Sequence, residues 1–134
     1  MDIEKTRRYY ARLTDADVCD CAYCRNYVKE IRAAYPELDA YADQLGIDLE
    51  KPLETIPVEP AEGRILYSGA QYVVLGAADE FGETSVRNVR VFVADSHPMT
   101  GIAEEHFVIE LSPIWLDWTG ENADGAPQER EGTL

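Results

Sequence analysis

The stretch CAYCRNYVKEIRAAYPELDAYADQLG, residues 21–46, decides the N-terminal part of the fold. Its apolar residues recur every three or four positions, the spacing that places side chains on one face of an α-helix. They form two such stripes, Cys24, Tyr27, Val28, Ile31, Ala34 and Tyr35, then Leu38, Tyr41, Ala42 and Leu45. Pro36 suits the first turn of the second helix, and Gly46 suits its C-terminal cap. The stretch therefore predicts two helices joined as a hairpin, with Asp20 as the N-cap of the first.

The chain on either side of this hairpin predicts a short N-terminal segment and a sheet. Residues 5–13 suit a helix or an irregular segment, and residues 86–94 alternate in the manner of a half-buried strand. The predicted strands are an edge strand at 55–58, a hairpin of 64–68 and 71–77 around Gly69, and strands at 86–94, 106–111 and 114–118. The predicted fold class is α+β, an N-terminal helical hairpin packed on an antiparallel sheet of four to five strands.

Length and composition predict one domain followed by a tail. A chain of 134 residues, 46% of them hydrophobic, suits a single domain with its own core. Residues 119–134 are rich in Gly, Glu, Asp, Asn and Pro and show no periodicity. We therefore assign residues 1–118 to the domain and residues 119–134 to a flexible acidic tail.

The net charge of −14 restricts the possible partners. It opposes binding to nucleic acids and to anionic membranes, because both require Lys and Arg side chains. The charge is uneven: residues 36–63 contain eight acidic and one basic side chain, net −7, whereas residues 1–35 contain seven basic and six acidic, net +1. The acidic surface either serves solubility alone or docks a basic protein partner.

Targeting features are not visible in the sequence. The apolar runs are too short to span a bilayer, and residues 1–12 are charged where a signal peptide has an apolar core. We therefore expect a cytoplasmic protein. Three cysteines within six positions agree with that expectation, because an odd, crowded set is a poor disulfide framework and a better metal or thiol site.

The motif Cys19-x-Cys21-x-x-Cys24, at the start of the first predicted helix, carries the candidate chemistry. Thiolates suit zinc, and the Cys-x-x-Cys spacing lets two sulfur atoms converge on one ion. The sequence offers four candidates for the fourth ligand of a tetrahedral zinc ion, which are His97, His106, Asp20 and Asp17. A four-cysteine iron–sulfur cluster is excluded within one chain, because the chain has only three cysteines.

Two other interpretations of the cysteines stay open. Cys21-Ala22-Tyr23-Cys24 resembles the Cys-Pro-Tyr-Cys site of glutaredoxins, which implies Cys21 as nucleophile and Cys24 as resolving thiol. Ala22 stands in the place of the motif's proline, and a second helix is predicted where that fold has a strand. In the third interpretation the cysteines are small apolar residues, and Cys24 lies on the apolar stripe as such a core residue would.

The chain also resembles a set of short uncharacterised bacterial proteins. The shared stretches are Cys-x-x-Cys-Arg-Asn-aromatic at residues 21–27, Leu-Gly-Ile-Asp at 45–48, Lys-Pro-x-Glu at 51–54 and a Tyr-x-Gly segment at 67–76. The resemblance covers residues 19–76 and implies no reaction. We hypothesise that Arg25 and Asn26 hydrogen-bond the cysteine loop or neighbouring carbonyl groups, as outer groups steady metal ligands.

The sequence thus favours an accessory or interaction protein that is not an enzyme, with zinc held by the cysteine loop as a structural metal. The alternative is a thiol–disulfide oxidoreductase that uses Cys21 and Cys24. We expect a protein partner and neither nucleic acid nor membrane as a binding partner.

Overall fold

The computed structural model describes residues 1–119, which form an α+β fold of three α-helices and one antiparallel sheet. The helices are α1 (Ile3–Arg12), α2 (Ala22–Ala34) and α3 (Pro36–Gln44). The strands are β1 (Glu54–Pro57), β2 (Arg64–Leu75), β3 (Thr84–Val86), β4 (Val89–Val93), β5 (His106–Ser112) and β6 (Ile114–Asp117). The predicted fold class is confirmed, with one helix more than the predicted hairpin and a sheet of six strands. The acidic tail predicted for residues 119–134 lies outside the described residues, except for Thr119.

The sheet has the order β1-β2-β5-β4-β3, with β6 also paired to β2. The C-terminal half of β2 pairs with β5, where Ala70 lies opposite Leu111. The N-terminal half pairs with β6, where Tyr67 lies opposite Ile114. β5 and β6 are separated by Pro113 alone, so the two strands follow the same side of β2 one after the other. β1 forms the edge next to β2, as the sequence predicted.

The predicted hairpin around Gly69 is wrong, because β2 is a single strand of 12 residues. Gly69 lies opposite Ile56 of β1, next to the point where the register of the two strands shifts. A Cβ atom at Gly69 would lie 2.6 Å from Oε2 of Glu110 on β5. The glycine therefore admits a neighbouring side chain across the strand and does not turn the chain. Before Gly69 the core-facing residues of β2 have odd numbers, and after it they have even numbers. This break in the alternation makes the sequence look like two separate strands.

The predicted strand at residues 86–94 is also wrong in its first part. β3 and β4 form a hairpin in its place, and Val86 pairs with Val89 across a two-residue turn. Arg87 in that turn has a φ of 56°, the left-handed conformation that such tight turns require. The valine alternation of β4 belongs to one strand, as predicted.

The N-terminal cap of α2 differs from the prediction, and the C-terminal end of α3 agrees with it. Cys21, and not Asp20, is the N-cap of α2, because the Cys21 Sγ accepts a hydrogen bond from the backbone N–H of Cys24 at 3.4 Å. Gly46 follows the end of α3 with a φ of 85°, as a C-terminal glycine does. The cap places the Cys21 sulfur atom directly at the start of α2.

The apolar sides of the three helices cover one face of the sheet. Their buried side chains form one cluster with the facing side chains of the strands. Four tyrosines are buried in this cluster, namely Tyr10, Tyr27, Tyr67 and Tyr72. A smaller cluster of Val73, Leu75 and Val108 uses the alternate positions of β2 and β5. The packing brings the start of α2 next to the edge strand β1.

Candidate metal centre

The cysteines lie in the loop between α1 and α2 and in the first turn of α2. The loop is tied at its start. Thr14 and Asp17 form a capping box in which the backbone N–H of Thr14 donates to the Asp17 carboxylate at 2.9 Å. Lys51 donates from Nζ to the carbonyl oxygens of Tyr10 and Leu13 at 2.9 and 3.0 Å. These bonds fix the end of α1 and the beginning of the cysteine loop to the segment that precedes β1.

The three sulfur atoms form one group. The Sγ atoms of Cys19, Cys21 and Cys24 all lie within 4.8 Å of one another. Cys19 is exposed, Cys21 is partly exposed and Cys24 is buried, so the group runs from the surface into the core. Zn–S bonds of about 2.3 Å in a tetrahedral site place sulfur atoms about 3.8 Å apart, so small side-chain rotations bring these cysteines onto one ion. The predicted convergence of the cysteines is confirmed.

Cys24 and Cys21 differ in their electrostatic surroundings. Burial raises the pKa of Cys24, whose Sγ lies 3.4 Å from Oγ1 of Thr55 on β1. Burial also raises the pKa of Cys21, but hydrogen bonds outweigh it, and the pKa of this thiol lies below its ordinary value. The lowering comes from the backbone N–H groups of Cys24 and Tyr23 and from the two neighbouring thiols. The N-terminal turn of α2 therefore favours a thiolate at Cys21.

Arg25 and Asn26 hold different parts of the molecule. The Arg25 guanidinium donates to the carbonyl oxygen of Asp20, within the cysteine loop, as hypothesised. Asn26 instead holds the end of the sheet. Its Nδ2 donates to the carbonyl of Asp117 at 2.9 Å, and its Oδ1 accepts from the backbone N–H of Thr119 at 3.0 Å. Arg25 is therefore the outer group of the cysteine cluster, and Asn26 is a clamp between α2 and the end of β6.

The predicted fourth ligands lie outside the sulfur group. Within residues 1–119, the group of ligand atoms that are close enough to share an ion contains the three cysteines alone. The four residues predicted as candidates for the fourth ligand therefore lie outside this group, namely His97, His106, Asp20 and Asp17. The His106 ring nitrogens lie 2.8 Å from Oγ1 of Thr100 and from the carbonyl oxygen of Glu104. Nδ1 of His97 lies 2.8 Å from the carbonyl oxygen of Pro98 in an exposed loop.

A groove of about 710 Å³ opens beside the sulfur group. Cys19 forms part of its wall, together with the apolar side chains of Val18, Ala22 and Val28. Its charged lining residues are Asp15, Asp20, Glu50, Arg25, Lys29 and Lys51. Sequence reasoning missed this groove, because its walls come from the cysteine loop, from α2 and from the segment before β1, which no sequence spacing relates.

Two kinds of chemistry fit the group as it stands. Three thiols at this separation suit a soft or borderline metal ion such as zinc. Two of them, Cys21 and Cys24, also have the spacing and the unequal exposure of a dithiol that exchanges disulfides.

Comparisons of the chain with protein-family models, with curated proteins and with solved structures find no match. The resemblance to short bacterial proteins therefore stays a prediction. Among the helices of residues 1–119, none combines the length and the apolar character that crossing a membrane requires.

Proposed function

We propose that the protein is a non-enzymatic accessory or interaction protein that binds a structural zinc ion through Cys19, Cys21 and Cys24. The observation that carries the proposal is the mutual approach of the three sulfur atoms to within 4.8 Å. Zinc is the metal that best suits such a set, because thiolates bind it tightly and it takes part in no redox chemistry. The hydrogen bond from the Cys24 N–H to the Cys21 Sγ favours the thiolate form that a metal needs.

The ion would fix the cysteine loop to the body of the fold. Cys24 is anchored in the core beside Thr55, whereas Cys19 stands exposed on the loop. One ion bound by both therefore connects a surface loop to the edge of the sheet. Because the unfolded chain holds no preformed site, the binding free energy of the ion adds to the folding free energy.

The acidic surface supports an interaction with a basic protein partner. Five acidic residues of the segment 36–63 are exposed, namely Glu37, Asp43, Glu54, Glu59 and Glu62, and two of them already form ion pairs, Asp43 with Arg7 and Glu37 with Arg87. The single basic residue of this segment, Lys51, is occupied by the carbonyls at the end of α1. The remaining three, Glu54, Glu59 and Glu62, give an excess of negative charge, and such an excess steers an oppositely charged partner and speeds its association.

Metal analysis of protein purified without added metal tests the zinc site. We expect one zinc ion per chain in the wild type and its loss in Cys19→Ser and in Cys24→Ser. His97→Ala is the matched control, because His97 lies outside the sulfur group, and it should keep the ion. Wild-type protein with three free thiols and no zinc would contradict the proposal.

Binding of an oligolysine peptide tests the acidic surface. Affinity should fall as salt is added and should fall again when Glu54, Glu59 and Glu62 are replaced by Gln. The control variant carries Gln at three acidic positions elsewhere, Glu4, Glu104 and Glu105, and has the same net charge. Equal weakening by the two triple variants would show that net charge, and not this surface, attracts the peptide.

A second function, thiol–disulfide exchange, is favoured by the unequal exposure of Cys21 and Cys24. The Cys21 thiolate would attack a substrate disulfide, and one substrate sulfur would leave as a thiolate. Cys24 would then displace Cys21 from the mixed disulfide. The products are a Cys21–Cys24 disulfide and a substrate dithiol, which receives both electrons and both protons.

Cys19→Ser separates the two functions. The variant removes a zinc ligand and leaves the Cys21–Cys24 dithiol intact. Insulin reduction that survives Cys19→Ser and is lost in Cys21→Ser would support the exchange reaction. Wild-type protein that fails to reduce insulin would rule it out.

A further inference from the structure

We propose that the groove beside the cysteines binds a short peptide thiol, and that its sulfur becomes the fourth ligand of the metal ion. This inference rests on the zinc site proposed above and names the class of ligand that completes it. It is carried by three neighbouring features, which are the exposed sulfur of Cys19, a groove of small-molecule size and a lysine in the groove wall that has no partner among residues 1–119.

A tetrahedral zinc ion bound by the three cysteines needs one more ligand. Tetrahedral zinc takes four ligands, and residues 1–119 bring three sulfur atoms and no histidine or carboxylate into the group. A site with three protein ligands and one exchangeable ligand is the arrangement of zinc centres that bind a further molecule. A fourth thiolate matches the softness of the first three.

The groove reaches the ion from the side of Cys19. Cys19 belongs both to the sulfur group and to the groove wall. The volume of about 710 Å³ falls within the range of small-molecule sites, about 300–1,000 Å³. Val18, Ala22 and Val28 give this wall an apolar part against which a peptide backbone and side chain can pack. A molecule in the groove can therefore place a sulfur atom beside Cys19.

Several charged side chains that line the groove already have partners within the protein. Fewer charged side chains are therefore open to a ligand. Arg25 donates to the Asp20 carbonyl, and Lys51 donates to two carbonyls at the end of α1. Glu50 lies 3.5 Å from the guanidinium of Arg32. Lys29, by contrast, is exposed and makes no hydrogen bond or ion pair within residues 1–119.

Lys29 supplies a positive charge for a carboxylate, and the carboxylates of Asp15 and Asp20 supply negative charge for an ammonium group. A peptide thiol carries a carboxylate, an ammonium group and a sulfur atom in one molecule. A ligand with negative charge alone would meet the repulsion of a chain whose net charge is −14. The charges thus favour a zwitterionic peptide over a simple anion.

The binding step is a ligand exchange without oxidation or reduction. The peptide thiol releases its proton to solvent, and a sulfur lone pair forms the bond to the ion. The water molecule that held this position leaves. No electron acceptor is needed, which separates this step from disulfide exchange.

Cobalt-substituted protein tests the inference, because the visible spectrum of Co²⁺ reports the number of thiolate ligands. The probe is reduced glutathione. S-methylglutathione keeps the charges and lacks the thiol, and 2-mercaptoethanol keeps the thiol and lacks the charges. We expect glutathione to shift the cobalt bands while the metal stays on the protein during gel filtration. S-methylglutathione should leave the bands unchanged, and 2-mercaptoethanol should shift them only at higher concentration.

Lys29→Gln locates the ligand in the groove. It should weaken glutathione binding about threefold, the size of one exposed ion pair, and should leave 2-mercaptoethanol unaffected. Lys5→Gln, on α1 and away from the groove, is the control and should bind glutathione as the wild type does.

The outcomes are distinguishable. Protein that binds no cobalt overturns the metal site itself and this inference with it. Cobalt that binds but does not respond to glutathione, or is carried away by it, overturns the peptide-thiol inference alone. Equal affinity of Lys29→Gln and the wild type for glutathione overturns the assignment of the ligand to this groove.

Discussion

The thiols of Cys19, Cys21 and Cys24 lie within six positions of one another in the sequence, and each has different surroundings in the fold. Cys24 faces the core beside Thr55, and burial raises the pKa of its thiol. Cys21 occupies the N-cap of α2, where backbone N–H groups outweigh the effect of burial and lower the pKa of its thiol. Cys19 stands exposed on the loop.

Alkylation of metal-free protein with iodoacetamide should reveal this difference. Because the lowered pKa keeps Cys21 ionised at lower pH, its alkylation rate should reach half its maximum at a lower pH than the rate of free cysteine. Cys24 should stay unmodified until the protein is denatured, because its thiol is buried and its pKa is raised. Mass spectrometry of the peptides measures both rates. Alkylation of Cys24 as fast as Cys21 in folded protein would be incompatible with the structure.

Asn26 is buried for a structural reason. Its amide satisfies backbone groups of Asp117 and Thr119 at the end of β6. We expect Asn26→Ala to lower the free energy of unfolding by about 1–2 kcal/mol, since two part-buried backbone groups lose their hydrogen-bond partner. Zinc stoichiometry should stay unchanged, because the hydrogen bonds of the amide go to Asp117 and Thr119.

Chemical denaturation and metal analysis measure the two effects of Asn26→Ala separately. Gln44→Ala, at the exposed end of α3, serves as the control and should change neither quantity. Loss of zinc at full stability would instead assign Asn26 to the metal site.

At the scale of elements, Gly46 determines how closely α1 approaches the end of α3. A Cβ atom at Gly46 would lie 2.7 Å from the carbonyl oxygen of Ile3 and 2.9 Å from the backbone N of Arg7. The residue also has a φ of 85°, which an L side chain adopts only with strain. The position therefore requires glycine both for its space and for its backbone conformation.

Three glycine-to-alanine variants separate these two requirements. Gly46→Ala should lower the free energy of unfolding by about 3 kcal/mol, from backbone strain and overpacking together. Gly63→Ala should cost about 1 kcal/mol, because Gly63 has a φ of 78° and open space around it. Gly82→Ala has neither problem and should leave stability unchanged within about 0.5 kcal/mol. Denaturant titration measures all three, and equal losses at Gly46 and Gly63 would show that α1 does not press on this position.

The elements that sequence could predict are those whose signal is local. The helical hairpin follows from two apolar stripes of helical spacing and from Pro36 and Gly46, which mark the start and the end of the second helix. One error arises where a distant element decides the local structure, because Gly69 looks like a turn until Glu110 of β5 is placed across it. The other error is local, because Arg87 adopts the left-handed conformation that glycine or asparagine usually supplies in such a turn.

The candidate site likewise has one part that the sequence could predict and another part that depends on the fold. The convergence of the cysteines follows from their short spacing at the start of a helix, and so it could be predicted. The contact of Cys24 with Thr55 and the groove wall formed by Lys29 and Lys51 depend on how α2 lies against the chain before the sheet. His97 and His106 were candidate ligands by residue type alone, and their neighbours in the fold are other polar groups.

At the scale of the whole molecule, four of the eight tyrosines lie in the core. The hydroxyl groups of Tyr27 and Tyr72 lie 2.6 Å apart, and Tyr72 donates to the carbonyl of Leu49 at 2.7 Å. Tyr10 donates to the carbonyl of Val73 at 2.8 Å. Burial raises the pKa of each of these tyrosines and of Tyr67. The hydroxyl bonds join the helices to β2 and to the segment before the sheet.

Because the pKa of these buried tyrosines is raised, we predict that the protein loses stability in alkali. Their folded pKa lies above the unfolded value of about 10, so their contribution is complete below about pH 10 and is lost as the pH rises above it. About half of the tyrosinate absorbance should therefore appear together with unfolding as followed by circular dichroism. Ionisation of all eight tyrosines near pH 10 while the dichroism stays native would contradict the buried network.

The proposed centre requires one ion bound by Cys19, Cys21 and Cys24 together. X-ray absorption at the zinc edge of the natively purified protein measures this directly. We predict a first shell of three sulfur atoms at about 2.3 Å, with a lighter atom as fourth neighbour when no thiol is added. A shell of nitrogen and oxygen alone, or zinc with a single sulfur neighbour, would contradict the proposed centre.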